Sequence, residues 1–165
     1  MIYKYKTVKE GEGLNIAGFY NESIVNGTGL RAVIFVSGCP HHCKGCHNPQ
    51  TWDECYGELF DEDKYYKIIT ENKLLTGITL SGGEPLTVCH IKELLPFIKR
   101  LKANTRLDIW CYTGYTLEEL INRNDKYTKE ILNLIDVIVD GPFIEQMKDP
   151  LLLFRGSSNQ RIINL

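Results

Sequence analysis

The chain has 165 residues, 43% hydrophobic and 24% charged, a length that suits one substantial core and a single domain spanning residues 1–165. Its 19 basic and 21 acidic residues leave a net charge of −2, which excludes the basic surface typical of proteins that bind nucleic acid or anionic membranes. Gly11 and Gly13 stand where an export signal needs an apolar run, and no stretch reaches the roughly 18 apolar residues that cross a bilayer. We therefore expect a cytoplasmic protein.

Short apolar runs rich in β-branched residues predict four buried strands, at residues 31–37, 77–81, 107–112 and 136–140. Helical patterns separate them, at 61–72, at 88–102, from Thr116 onward and at about 128–134. Pro96 is expected to begin a new turn or kink the second helix. The alternation predicts an α/β fold with largely parallel strands. Residues 9–30 and the tail after Pro142 are the least regular parts, and Lys9 to Asn21 is interpreted as an extra hairpin.

The loops that follow the predicted strands are polar or rich in glycine. They cover residues 38–48, 82–85, 113–115 and 141–143. In parallel α/β architectures the ligand site forms at the carboxyl ends of the strands, so these four segments are expected on one face. A closed eight-stranded barrel usually needs about 250 residues. The chain is therefore expected to form an open, partial (β/α) barrel.

Three of the six cysteines, Cys39, Cys43 and Cys46, lie in the first of these loops. Without an export signal, such clustering favours a metal or catalytic role over disulfides. Electron-transfer clusters ordinarily use four cysteines. Three thiolates would leave one iron of a [4Fe-4S] cluster able to chelate the amino and carboxylate groups of a small molecule, as reductive cleavage of S-adenosylmethionine requires. The cysteine loop therefore favours such a cluster.

Zinc is the alternative for the cysteine loop, because zinc accepts three sulfurs and one nitrogen, here from His47 or another nearby histidine. The spacing favours the cluster, because structural zinc sites more often pair two short hooks that are distant in sequence. His41 and His42 are interpreted as loop residues near the site. Cys89 and Cys111 are interpreted as small buried hydrophobes, whereas Cys55 is ambiguous.

Gly82 and Gly83 follow a predicted strand and precede a helix, so their backbone could approach a ligand closely, and Glu84 adds an acceptor beside them. A tight turn with no ligand explains these residues equally well. Their position one βα unit after the cysteine loop favours the functional interpretation, since the ammonium group of a cluster-bound amino acid needs an acceptor.

With these motifs the chain resembles the activating proteins of anaerobic ribonucleoside-triphosphate reductases, a family of the radical S-adenosylmethionine superfamily. The cysteine loop alone indicates only the superfamily, whereas the later segments indicate this family. The matching segments are residues 26–31, 35–48, 81–85, 112–115, 136–143 and 155–161, and the resemblance runs from about residue 14 to the C-terminus.

The resemblance implies a radical S-adenosylmethionine fold and the installation of a glycyl radical on the partner reductase. In such systems S-adenosylmethionine is cleaved on a [4Fe-4S] cluster to a 5'-deoxyadenosyl radical, which removes a hydrogen atom from a glycine near the reductase C-terminus. A flavodoxin-like protein supplies the electron. An activator of another glycyl-radical enzyme, such as a formate-lyase, shares this chemistry, but such relatives are usually longer. A zinc-stabilised interaction module is the hypothesis from a different class.

The resemblance also assigns roles to residues. Cys39, Cys43 and Cys46 hold the cluster, and Gly82, Gly83 and Glu84 hold the methionyl amino end. Gly45, Cys46 and His47 flank the adenosine; many superfamily members have an aromatic residue where Gly45 stands, which leaves His47 as a candidate for stacking. Asp140 either binds a cation or orients the cofactor, or is a turn aspartate. Arg155 to Arg161 is either a surface that grips a peptide or nucleotide, or a solvated loop.

Overall fold

The computed structural model describes residues 13–165, so the expectations for the first twelve residues, including the absent export signal and the start of the hairpin, lie outside the described part. The four predicted strands and four predicted helices all form, with ends within a few residues of those expected. The strands are β1 (Asn15–Ser23), β2 (Arg31–Val36), β3 (Glu58–Leu59), β4 (Gly77–Gly82), β5 (Asp108–Tyr112), β6 (Val137–Asp140) and β7 (Arg161–Asn164). The helices are α1 (Glu62–Glu71), α2 (Val88–Asn104), α3 (Leu117–Asn122) and α4 (Lys126–Leu132).

The strands form one open sheet in the order β3-β1-β2-β4-β5-β6-β7. The central strands β2, β4, β5 and β6 are parallel, whereas β1, β3 and β7 pair antiparallel with their neighbours. The predicted α/β class is confirmed. The prediction of largely parallel strands is right only for the central four, because the additional strands return beside their partners in the opposite direction.

The described part of the segment interpreted as an extra hairpin, residues 13–21, leads into and forms most of a strand of the main sheet. β1 pairs with β2, where Ile16 lies opposite Val36, and with β3, where Asn15 lies opposite Leu59. Its residues are buried at the start and exposed further on, so it lacks the continuous apolar run of the central strands. The described residues of this segment therefore form a hairpin with β2.

The helices begin at side chains that accept hydrogen bonds from their first turns. Asp61 accepts from Lys64 N in α1, Thr87 accepts from His90 N in α2, and Thr116 forms the predicted capping box with Glu119 in α3. The predicted apolar face of α2 is buried, with Ile91, Leu94, Leu95, Ile98 and Leu101 all in the core. Pro96, which was expected to begin a new turn or kink the helix, lies inside α2, and the helix continues through it. Burial of this face on both sides of the proline holds the helix together.

Arg31 is fully buried at the amino end of the parallel strands. Its guanidinium donates to Thr79 Oγ1 at 2.9 Å and to the carbonyl oxygens of Thr28 at 3.0 Å and Ile78 at 2.6 Å, and it pairs with the Asp108 carboxylate. These contacts join β2, β4 and β5 at the end of the sheet opposite the loops described below.

Among residues 13–165, none of the helices combines the length and the apolar character that crossing a membrane requires.

Candidate iron-sulfur and cofactor site

A cleft opens at the carboxyl ends of the four parallel strands. Residues from all four following loops line it, which confirms the predicted meeting of these loops on one face. The cleft has a volume of about 210 Å³ and is open to solvent. Its lining includes Cys39, His41, Cys43, Cys46, His47, Gly82, Gly83, Tyr112, Thr113, Gly114, Gly141, Phe143, Gly156 and Gln160.

The cysteine loop starts in a backbone conformation that suits glycine. Gly38 has a φ of +94°, in the left-handed region. Its N–H donates to Thr51 O at 2.8 Å, and its carbonyl accepts from Glu84 N at 2.8 Å. Further along, Cys39 N donates to Trp52 O at 3.4 Å. The start of the loop is thus held by the protein backbone on both sides.

All three predicted cluster ligands, Cys39, Cys43 and Cys46, are free thiols at intermediate exposure, and all three line the cleft. Asn48 N donates to Cys46 Sγ at 3.4 Å, the kind of backbone contact that tunes cluster thiolates. Three accessible sulfurs on one short loop, facing one cavity, fit the donor set of a site-differentiated cluster. Among residues 13–165, no three His, Cys, Asp or Glu side chains are grouped closely enough to hold a single metal ion.

The nearby histidines make contacts of their own. His41 Nε2 donates to Glu84 Oε2 at 2.7 Å, the His42 ring lies 4.8 Å from the Trp52 ring, and the His47 ring lies 5.5 Å from the Phe143 ring. His41 and His47 also line the cleft, so each faces the site while it is held by a neighbour.

Burial shifts two titratable groups that line the cleft. It raises the pKa of the Cys39 thiol, and the charge of Glu84 adds to that rise. Because metals bind the thiolate, metal binding at Cys39 would release a proton. Burial also raises the pKa of Tyr112 to about 12, so its phenol stays protonated and able to donate at neutral pH. Tyr112 was predicted as the end of a strand and as part of a segment that matches the family, but it was given no role in the site; its position just before the Thr113 loop is the signal that places it in the cleft.

The predicted glycine turn lies in the cleft wall, packed against the cysteine loop. Gly82 has a φ of +94°. A Cβ built on Gly83 would stand 2.4 Å from Gly38 O and 2.9 Å from Thr51 O. Position 83 therefore requires glycine because the protein's own backbone approaches it closely, whether or not a ligand binds in the cleft.

Gly83→Ala is expected to displace the cysteine loop, because the added methyl group has no room beside Gly38 O. We expect a loss of stability of about 1–3 kcal/mol, as for other overpacked sites, and a lower iron content after anaerobic reconstitution. Thermal unfolding and iron analysis measure the two effects. Gly18→Ala is the matched control, since a Cβ there meets nothing within 4 Å. Equal iron content and melting temperature in both variants would contradict this explanation.

Glu84 follows the two glycines, but its side chain is fully buried and is not among the lining residues of the cleft. Its backbone N–H bonds to Gly38 O, and its carbonyl accepts from His90 Nδ1 at 2.7 Å. Three of the four partners of its carboxylate lie 29 to 43 residues away along the chain, so local sequence patterns do not predict them.

Asp140, at the end of β6, is buried and already paired. Its Oδ1 accepts from Arg161 Nε at 2.9 Å, and its Oδ2 accepts from Leu117 N at 2.8 Å at the start of α3. Arg161 also donates to Glu118 Oε1 at 3.0 Å. These contacts join β6, β7 and α3, and they raise the pKa of Arg161, chiefly through its bond to Asp140.

The segment from Arg155 to Arg161 is not a solvated loop. Gln160 Oε1 accepts from Gly156 N at 2.8 Å, and its Nε2 donates to Gly141 O at 3.0 Å. Asn159 Nδ2 donates to Pro142 O at 2.7 Å. The segment therefore packs against the loop after β6, and through Gly156 and Gln160 it forms part of the cleft wall.

One of the three remaining cysteines differs from expectation. Cys111 is buried in β5 as predicted, and burial raises its pKa well above the usual value. Cys89 was predicted to be buried but is exposed, because it lies on the outer side of the first turn of α2. Cys55 is exposed in the loop before β3, and neither Cys55 nor Cys89 is among the lining residues of the cleft.

The chain matches a known protein family and several named proteins. Residues 25–163 match the family model described as a 4Fe-4S single cluster domain. The chain is 44% identical over 154 residues to a protein of Haemophilus influenzae, covering 90% of this chain and 97% of that protein. It is 40% identical over 157 residues to one of Escherichia coli K12, covering 92% and 99%, and 36% identical over 152 residues to one of Enterobacteria phage T4, covering 90% and 93%.

Each of these three relatives is named anaerobic ribonucleoside-triphosphate reductase-activating protein. With this identity over most of its length, the chain belongs to the family of anaerobic ribonucleoside-triphosphate reductase-activating proteins, which confirms the resemblance read from its motifs. It is an activating oxidoreductase of the radical S-adenosylmethionine type.

Proposed function

We propose that this protein installs a glycyl radical on an anaerobic ribonucleoside-triphosphate reductase, and that its open sheet is a partial barrel of the radical S-adenosylmethionine type. When bound, a [4Fe-4S] cluster supplies the electron that splits S-adenosylmethionine into methionine and a 5'-deoxyadenosyl radical, which takes a hydrogen atom from a glycine of the reductase. A flavodoxin-like donor returns the electron. The single sheet formed by residues 13–165 supports one domain, and the free thiols suit the reducing cytoplasm.

One observation carries the proposal: the three thiols of Cys39, Cys43 and Cys46 face the same cleft as the ends of the other parallel strands. In our proposal these thiols hold three irons of the cluster. Three protein thiolates would leave one iron without a protein ligand, where the amino and carboxylate groups of S-adenosylmethionine could bind.

The other cleft residues bind and shield the cofactor in this proposal. The backbone at Gly82 and Gly83, which forms the wall next to the cysteine loop, receives the methionyl end. Gly45, Cys46 and His47 flank the adenosine, and the contact of His47 with Phe143 supports this role because it places two rings at the same rim. Tyr112 and Phe143 add aromatic surface that excludes water from a reactive radical. Asp140 acts indirectly in this proposal. Its hydrogen bonds to Leu117 and Arg161 hold the end of β6 against α3 and β7, next to Gly141 in the cleft wall.

Anaerobically purified protein tests the proposal. It is expected to be brown, to hold about four irons and four sulfides per chain, and to release 5'-deoxyadenosine when reduced with S-adenosylmethionine. Incubation with the reductase should then give the electron paramagnetic resonance signal of a glycyl radical. Colourless protein with one zinc and no turnover would instead support the interaction module. A glycyl signal that forms only with a formate-lyase would contradict the proposed partner.

A further inference from the structure

The Glu84 carboxylate is bound on all sides by the protein. Its Oε1 accepts from Leu86 N and from Thr113 Oγ1, each at 2.8 Å. Its Oε2 accepts from Gly114 N at 2.8 Å and from His41 Nε2 at 2.7 Å. A carboxylate offers about four lone-pair sites, so these four donors use its whole capacity.

The four donors come from three different loops. His41 lies in the cysteine loop, between Cys39 and Cys43, whereas Leu86 follows β4, and Thr113 and Gly114 follow β5. Since β2, β4 and β5 are adjacent parallel strands, the buried carboxylate lies where their three loops meet. The His41 ring is held from a second side by Tyr115, whose ring lies edge-on at 4.5 Å. Movement of any one loop would therefore break a hydrogen bond to a buried charge, which is costly.

We infer that Glu84 is a positioning residue: through His41, its carboxylate fixes the segment between Cys39 and Cys43 against the Thr113–Gly114 loop. This replaces the expectation that Glu84 receives the methionyl ammonium group. An ammonium ion at this carboxylate would have to displace one of the four donors and leave that donor buried without a partner. The value of the contact for catalysis rests on the proposed function, whereas the contact itself is a property of the metal-free chain.

Two substitutions of His41 separate the hydrogen bond from the ring. His41→Phe keeps the ring beside Tyr115 and removes the N–H that reaches Glu84. His41→Gln keeps an amide N–H that can donate to the same oxygen. Rescue by glutamine is therefore expected if the hydrogen bond matters, and no rescue is expected if only the ring packing matters. His41→Ala replaces the phenylalanine variant if that variant does not accumulate as folded protein.

Hydrogen exchange of the metal-free proteins is the first measurement. Residues 39–48 and Gly114 are expected to exchange about tenfold faster in His41→Phe, as for the loss of one charge-assisted hydrogen bond, and at nearly the wild-type rate in His41→Gln. The second measurement is the rate at which reconstituted protein loses iron to a chelator, and it should follow the same order. Wild-type exchange in His41→Phe would overturn the inference.

Affinity for S-adenosylmethionine tests the competing role of Glu84. If Glu84 bound the ammonium group, His41→Phe would free an acceptor, and the variant would bind S-adenosylmethionine more tightly with unchanged iron loss. That result would also overturn the inference. Failure of the proposed function is distinct, because wild-type protein would then hold no cluster while the exchange measurements on metal-free protein still decide the role of Glu84.

Discussion

Cys43→Ala is expected to abolish the cluster, with iron content near background and 5'-deoxyadenosine formation reduced by at least about 100-fold. The two remaining thiols of the loop, Cys39 and Cys46, cannot retain four irons, because each protein-held iron of the cluster needs its own thiolate. Iron and sulfide analysis, the visible spectrum and product chromatography measure the loss under strictly anaerobic conditions.

The matched control is Cys89→Ala, which removes an exposed cysteine outside the cleft. This variant should keep the iron, the colour and the turnover of the wild-type protein. Cys55→Ala extends the control to a cysteine closer in sequence to the cluster loop. Full iron content and activity in Cys43→Ala would show that the ligand assignment is wrong.

Arg31→Met is expected to give the largest loss of stability, about 3 kcal/mol, because Arg31 is fully buried and the buried groups that accept from its guanidinium would lose their donor. Methionine keeps a long unbranched side chain but removes the cation–π contact with Trp110 and every donor to Thr79, Thr28 and Ile78. For a chain of this length the melting temperature should fall by about 6–12 °C. Differential scanning calorimetry of the metal-free proteins measures the change.

Arg106→Met is the control, since Arg106 is exposed near the same end of the sheet. Its melting temperature should stay within about 2 °C of the wild-type value, as for most surface substitutions. Because Arg31 lies at the amino ends of the strands, folded Arg31→Met should still bind iron. Arg31→Met and Arg106→Met with equal melting temperatures would contradict a central role of the buried guanidinium.

The elements that could be predicted from the sequence are those that local residue patterns determine. The four central strands appear as apolar runs, and Thr116 with Glu119 is a capping box whose members lie three residues apart. The cysteine loop is also local, and its position after a strand was enough to predict that it meets the other loops. The same reasoning found the α/β order without any knowledge of distant contacts.

The features that were missed depend on contacts between distant residues. The direction of β1 and β7 follows from their partners, and β7 has only four residues, mostly exposed, so its pattern is weak. Glu84 was expected at the site, but three of its carboxylate partners lie 29 to 43 residues away. Asp140 likewise bonds to Arg161, 21 residues further on. Spacing along the chain contains no signal for such pairs.

The backbone hydrogen bonds of Gly38 to Thr51 and Glu84 should help the protein to recover after exposure to oxygen. These bonds need no metal, so the loop keeps an anchored start when its irons are removed. Oxidative damage should then destroy the inorganic part and spare the polypeptide scaffold. We expect a bleached molecule to be repaired in place with iron, sulfide and a reductant, without unfolding or new synthesis.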